Sequence, residues 1–152
     1  MPKAAIGIGS SLGERHASVL AAMRALDELP RTRVIARSTL HETDPVGGVA
    51  KNRFVNACVI VETALPPMIL LTALFAIEAE QGRLRIEQGA DRSLDLDLLL
   101  FDSLVIDDPN CMVPHPDMHN RAFVLVPLAE IAPDWRHPTL EKTVAELAAA
   151  LG

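Results

Sequence analysis

From Ser93 to Phe101 the chain reads SLDLDLLLF, and no other stretch narrows its possible folds as far. Alternation of Leu and Asp is the period of a β-strand, where residues two apart share a face. Leu94, Leu96 and Leu98 therefore point into a core, while Asp95 and Asp97 share the opposite side. Their Cα atoms would lie roughly 6.6 Å apart. Two acids crowded on one face are unfavourable without a cation beside them.

The segments around this strand set the fold class. Lys3–Gly9 is a short apolar run ending in Gly-Ser-Ser, read as a buried strand followed by a turn. Val19, Met23 and Leu26 recur at helical spacing, predicting a helix over about 14–29 that Pro30 closes. Residues 32–42 are rich in β-branched side chains and read as one strand, and the Pro- and Gly-bearing segment 43–52 as a loop. In RFVNACVIVET, Val55, Ala57, Val59 and Val61 fall on one face, with Phe54, Asn56 and Cys58 on the other. Pro66-Pro67 opens a second helix with Leu70, Leu74 and Ile77 on its buried stripe and Gly82 near its end. The polar stretch Arg83–Arg92 reads as an exposed loop. The order is β-α-β-β-α-β, the pattern of a ferredoxin-like α+β domain: an antiparallel sheet with two helices on one face. A C-terminal extension follows, with a turn over Pro114–Asp117, a helix over 121–131 and a last helix marked by Leu140, Val144, Leu147 and Leu151.

Composition bounds the function. With 152 residues, 49% of them hydrophobic, one domain spanning 1–152 with a sizeable core is expected. A net charge of −6 argues against nucleic acid or an anionic membrane held by bulk charge, though not against a small phosphorylated ligand gripped by a few Arg. No run approaches a membrane span, and the first residues, MPKAAIGIGSSLGER, do not read as a signal peptide, so the expected location is cytoplasmic. Cys58 and Cys111 lack metal-site spacing and are expected as free thiols. The four Phe and one Trp, with no Tyr, make any aromatic near a site informative.

For the acid pair, hard oxygen ligands suit Mg²⁺ held together with substrate phosphates; a solvated polar strand face is the plain alternative. Arg83, Arg85 and Arg92 just before the acids read either as surface ion pairs or, with a cation, as a receptor for polyphosphate. His115 and Arg121 bracket the turn VPHPDMHNR. GIGSSLG lacks both the dinucleotide fingerprint and the P-loop Lys, and is read as a tight turn entering a helix.

Taken together, RSLDLDLLLF, VPHPDMHNRAFVLVPLAEIAPDW and IGIGSSLG resemble the 6-hydroxymethyl-7,8-dihydropterin pyrophosphokinase family, collinearly from Ala5 to about Pro138. The resemblance implies the same ferredoxin-like fold. It also implies transfer of pyrophosphate from ATP to the hydroxymethyl group of a reduced pterin, with release of AMP, in folate synthesis. On it, Asp95 and Asp97 match two magnesium-binding aspartates serving two Mg²⁺ ions, and Arg83 and Arg92 match basic residues assisting at the ATP phosphates. Arg85, His115, Arg121 and Glu78 match further ATP-site positions. Phe54 and Phe123 match aromatics that sandwich the pterin, Asn56 its hydrogen-bonding partner, and Thr43 and Val46 positions lining that pocket. Competing readings are a divergent paralogue acting on a related pterin, and a non-catalytic pterin- or nucleotide-binding module.

Overall fold

The computed structural model describes residues 1–11, 15–43, 54–87 (82–87 as backbone alone) and 94–152. The elements up to the acid strand are β1 (Lys3–Ser11), α1 (Arg15–Asp27), β2 (Thr32–Arg37), β3 (His41–Thr43), β4 (Phe54–Thr63), α2 (Pro67–Glu87) and β5 (Leu94–Phe101). The strands stand in the order β2-β4-β1-β5, with β3 also pairing β4 and every pair antiparallel. This is the expected α+β arrangement. β1 takes the centre because Ala4, Ala5, Ile6 and Ile8 are all buried, apolar side chains covering both of its faces.

Two details depart from expectation. The strand expected over 32–42 is broken into β2 and β3 at Ser38. The Ser38 amide donates to the Cys58 carbonyl at 2.9 Å, but the Cys58 amide donates to the Ser38 hydroxyl at 2.9 Å. A side-chain oxygen replaces the ladder carbonyl, and the chain bends there. The loop expected to begin at Arg83 does not: α2 runs on through Gly82 to Glu87. One Gly costs a helix only about 1 kcal/mol, and Arg-Leu-Arg-Ile-Glu beyond it is rich in good helix formers. Residues 88–92 of that expected loop lie outside the described residues.

The sheet is the middle of three layers. On one face Ile6, Ile8, Val55, Val59, Leu94, Leu96 and Leu98 pack with the α1 stripe (Val19, Ala22, Met23, Leu26) and the α2 stripe (Leu70, Leu74, Ile77). The C-terminal extension covers the other face. It contains an unexpected hairpin, β6 (Ile106–Asp108) with β7 (Cys111–Val113), then α3 (Ala122–Ile131) and α4 (Val144–Leu151). Met118, Val124, Leu125, Leu128, Val144 and Leu147 pack there against Ala5, Cys58, Ile60, Leu99 and Leu100. Consecutive leucines 99 and 100 serve the same face because the β1–β5 register shifts between Ala5 and Ile6, which pair with Leu100 and Leu98. Truncating a fully buried leucine such as Leu125 or Leu128 would cost about 2–5 kcal/mol. Both cysteines are free and buried. Among the described residues no helix is long and apolar enough to cross a membrane.

Candidate functional site

The site lies on the face roofed by α3, and its floor is main chain. In β1, Gly9 is paired with Asp95 of β5 on one side and with Asn56 of β4 on the other; Gly7 is likewise paired with Asp97 and Cys58. Directly opposed residues share a face. Asp95, Gly9 and Asn56, extended by His41 opposite Asn56, therefore form one row across the sheet. The two glycines leave open space between the acids and Asn56. Gly7 and Gly9 sit inside the strand read over Lys3–Gly9, which runs two residues further than expected, to Ser11, so the turn read for GIGSSLG starts later than the two glycines. Above them is a cavity of about 380 Å³, within the range of small-molecule sites.

Acids line one end of it. Asp95 and Asp97 project from β5 away from the core leucines, as the alternation required. Burial, then the charge of Asp97, pushes the Asp95 carboxyl above its ordinary range, against a pull from Arg121. Glu78 reaches round the sheet edge from α2, and its Oε2 accepts the Leu96 amide at 2.7 Å. Desolvation raises its pKa too, opposed by that hydrogen bond and reinforced by Asp95 and Asp97. Three carboxylates on one wall, one committed to a backbone amide, suit a hard divalent cation. Among the described residues no three Asp, Glu, His or Cys side chains converge into a ready-made cage. A cation on Asp95 and Asp97 would therefore complete its shell with water or phosphate oxygens, the usual habit of Mg²⁺.

His115 and Arg121 border these acids. The His115 amide donates to the Leu99 carbonyl at 2.9 Å, which fastens the residue to β5. Its Nδ1 accepts the Asp117 amide at 3.2 Å, so in the neutral ring the proton is on Nε2, 3.8 Å from Asp97 Oδ1. Burial lowers the pKa of the ring, Asp97 opposes this, and Arg121 adds to the lowering. Arg121 precedes α3, its Nη2 3.7 Å from Asp117 Oδ2 and its guanidinium 5.7 Å from the centre of the Phe123 ring.

The other end is aromatic and amide-bearing. Phe54 and Asn56 share a face of β4, and Asn56 Nδ2 donates to Thr43 Oγ1 at 3.1 Å, which leaves its Oδ1 over Gly9 as an acceptor. Phe123, in the first turn of α3, is 37% exposed. Phe75, missed in the sequence, borders the same cavity from α2 on the side of the acids, one turn before Glu78, and is 56% exposed. Three of the four phenylalanines thus line one cavity. The signal for Phe75 was available: it lies off the Leu70–Leu74–Ile77 stripe, one turn before Glu78. Gly7 and Gly9 gave no signal without knowledge of their strand partners.

Of the residues singled out by sequence, Thr43, Phe54, Asn56, Glu78, Asp95, Asp97, Arg121 and Phe123 line the cavity together. His115 stands beside them through Asp97. Arg83 and Arg85 lie in the last turns of α2, with their side chains outside the description. Val46 and Arg92 lie outside the described residues.

The comparisons agree with one another. The family model for 7,8-dihydro-6-hydroxymethylpterin-pyrophosphokinase (HPPK) matches residues 5–133. The chain is 47% identical over 133 residues to the 2-amino-4-hydroxy-6-hydroxymethyldihydropteridine pyrophosphokinase of Pseudomonas aeruginosa, covering 88% of this chain and 82% of that one. It is 41% identical over 134 residues to the enzyme of the same name from Haemophilus influenzae, covering 88% and 84%. Among solved structures it matches a crystal structure of HPPK-DHPS in complex with substrates, with TM-score 0.76, 13% identity, 98% of this chain and 43% of that one. A Plasmodium falciparum HPPK-DHPS triple mutant matches with TM-score 0.78, 16% identity, 98% of this chain and 43% of that one. The chain thus spans under half the length of those HPPK-DHPS chains, and at such identity the likeness is one of fold.

Proposed function

The chain belongs to the 7,8-dihydro-6-hydroxymethylpterin-pyrophosphokinase family, and from that premise we propose how its cavity moves pyrophosphate from ATP to hydroxymethyldihydropterin in folate synthesis. The observation that carries this reading is the register Asp95–Gly9–Asn56, which sets metal-type carboxylates and a ring-reading amide on opposite sides of one open floor. In the reaction, the pterin hydroxymethyl oxygen gives its proton to solvent and bonds to the β-phosphorus, as the bond from that phosphorus to the α-phosphate's bridging oxygen breaks, releasing AMP.

Asp95 and Asp97 would hold magnesium, two ions by the family pattern. Bound there, the ion would supply positive charge to offset the charge developing on the phosphates. Glu78 steadies β5 through the Leu96 amide and so fixes how the two aspartates are presented. His115 offers an Nε2–H, and Arg121 a guanidinium, to the phosphates. Arg83, Arg85 and Arg92 are read as serving the same anion, Arg83 and Arg92 as its catalytic cations, on the motif resemblance alone. Phe54 and Phe123 stack on the two faces of the pterin, with Thr43 and Val46 lining its edge. Asn56 Oδ1 accepts an N–H of the ring, since its Nδ2 is held by Thr43. Phe75 gives the acid end of the cavity an aromatic face for the adenine. No covalent step on the protein is required; positioning and electrostatics supply the rate.

The whole chain, 1–152, is read as one pyrophosphokinase domain, because cores on both faces of a single sheet span it. A cytoplasmic enzyme is the reading its ATP substrate favours. Incubation with Mg-ATP and hydroxymethyldihydropterin tests the assignment. AMP and pyrophosphorylated pterin are expected in equal amounts. ADP would indicate an ordinary kinase, and pterin binding without turnover a binding module; either result overturns it.

A further inference from the structure

Away from the acids, one carboxylate joins parts of the chain about 90 residues apart. Glu130, in the last turn of α3, accepts from the Thr39 amide at 3.0 Å through Oε1 and from the Thr39 hydroxyl at 2.8 Å through Oε2. His41 Nε2 lies 3.0 Å from the same Oε1. An isolated surface ion pair contributes little. This carboxylate instead gathers the amide and hydroxyl of Thr39, two residues before β3, and the imidazole of His41 at the start of β3, a three-residue strand that, among the described residues, pairs only with β4.

The positions of these partners relate the clasp to the cavity. Glu130 follows Phe123 by seven residues, two turns of helix, so the two lie on nearly the same side of α3, roughly 10 Å apart along its axis. On the strand side His41 is paired with Asn56, and Thr43, two residues on, is the residue that Asn56 Nδ2 bonds. β3 and α3 therefore carry cavity residues at one end and are fastened by Glu130 at the other.

We propose that Glu130 is a positioning residue for the pterin: by pinning Thr39 and His41 to α3 it sets the width of the slot between Phe123 and the Phe54–Asn56–Thr43 wall. Glu130 itself touches no substrate. The proposal rests on the reading above that the pterin occupies this slot.

The test uses the full chain as wild type, Glu130→Ala, Glu130→Gln and, as a control surface pair on another part of the sheet, Glu62→Ala, which unpairs Arg33. Affinity for hydroxymethyldihydropterin is read by calorimetry with a non-cleavable Mg-ATP analogue present, and the KM for ATP by steady-state assay. Glu130→Ala should weaken pterin binding about tenfold and leave the KM for ATP within twofold. Glu130→Gln, which keeps an acceptor for Thr39, should recover most of the loss, and Glu62→Ala should change neither quantity. Pterin affinity within twofold of wild type in Glu130→Ala, or parallel weakening of both substrates, overturns the proposal. If Glu130→Ala does not fold, the double variant Thr39→Val/His41→Gln removes side-chain bonds from the strand side and is judged by the same two quantities. A wild-type chain that binds no pterin would instead overturn the pterin assignment, and this proposal with it.

Discussion

Glu78 accepts the amide of Leu96, the residue that separates Asp95 from Asp97. A carboxylate from one helix therefore holds the edge strand at the point where two more carboxylates emerge, and the three charges share a wall. Burial and mutual repulsion already push the Asp95 and Glu78 carboxyls above their ordinary values. The arrangement is poor for the cation-free fold and good for a cation.

Replacing Asp95 or Asp97 with Asn should lower the rate of AMP release by at least about a hundredfold, a loss of ~3 kcal/mol of transition-state stabilisation, with pterin affinity nearly unchanged. Stability should move the other way for Asp95. A carboxyl with a raised folded pKa holds its proton more tightly when folded, so stability falls as pH rises from the ordinary 3.8 through the raised value and stays lower at neutrality. Asp95→Asn removes that loss. Asp95 is partly exposed, so the gain is screened to about 1–2 °C in Tm at pH 7 in chelator. An Asp95→Asn variant that turns over normally in saturating Mg²⁺ would refute the metal assignment.

The rings at the two ends of the cavity, Phe123 by Asn56 and Phe75 by the acids, should separate cleanly. Phe123→Ala should weaken pterin binding at least tenfold, since one ring stack contributes ~1–3 kcal/mol, and leave ATP affinity similar. Phe75→Ala should do the reverse. Calorimetry on each substrate decides it, and a variant that weakens both equally would count against two separate aromatic faces.

Gly9 and Gly7 should differ in tolerance. A Cβ on Gly9 would come within 3.0 Å of Asn56 Oδ1, whereas one on Gly7 would meet Leu99 Cδ1 at an ordinary 3.5 Å. Gly9→Ala must shift an amide that Thr43 also holds, so its pterin affinity should drop several-fold. Gly7→Ala should bind pterin as the wild type does.

Acid should loosen the C-terminal extension through His137. Its Nδ1 accepts the amides of Thr139 at 3.2 Å and Leu140 at 3.1 Å, and burial, with His119 adding to it, lowers its pKa from the ordinary 6.5. Below that value the unfolded chain takes up the proton first, so stability present above about pH 6.5 is lost as pH falls. His137→Asn keeps a short acceptor and removes the titration. Its Tm should fall less than that of the wild type between pH 7 and 5.5, and identical slopes would show that His137 is not the sensitive group.

What the sequence disclosed follows the range of the forces involved. The faces of β4 and β5 were legible because alternation is a local property: Phe54 with Asn56, and Asp95 with Asp97, needed only their neighbours in the chain. The break at Ser38 was not, since it depends on a hydroxyl bonding Cys58 across the sheet. Gly7 and Gly9 fell within a legible strand, but their part in the site lies in the residues opposite them, which the local pattern does not show. Gly82 looked like a helix end because its small local cost is visible while the helix-forming run beyond it is easily underweighted. The two strands of the β6–β7 hairpin have three residues each, too short to show a period. The roles of the site residues came from likeness to a family and not from spacing, which alone favoured a solvated acid strand.

The glycine floor bears on inhibition. A compound resting on Gly9 lies against main chain, which mutation cannot trim or recharge. The smallest substitution there that adds a side chain would bring a Cβ to 3.0 Å from the oxygen of Asn56, so a change that dislodged the drug would disturb the residue assigned to reading the natural substrate. Resistance through this surface carries its own loss of fitness, which makes the floor a better anchor for a lasting inhibitor than the exposed rings at the rim.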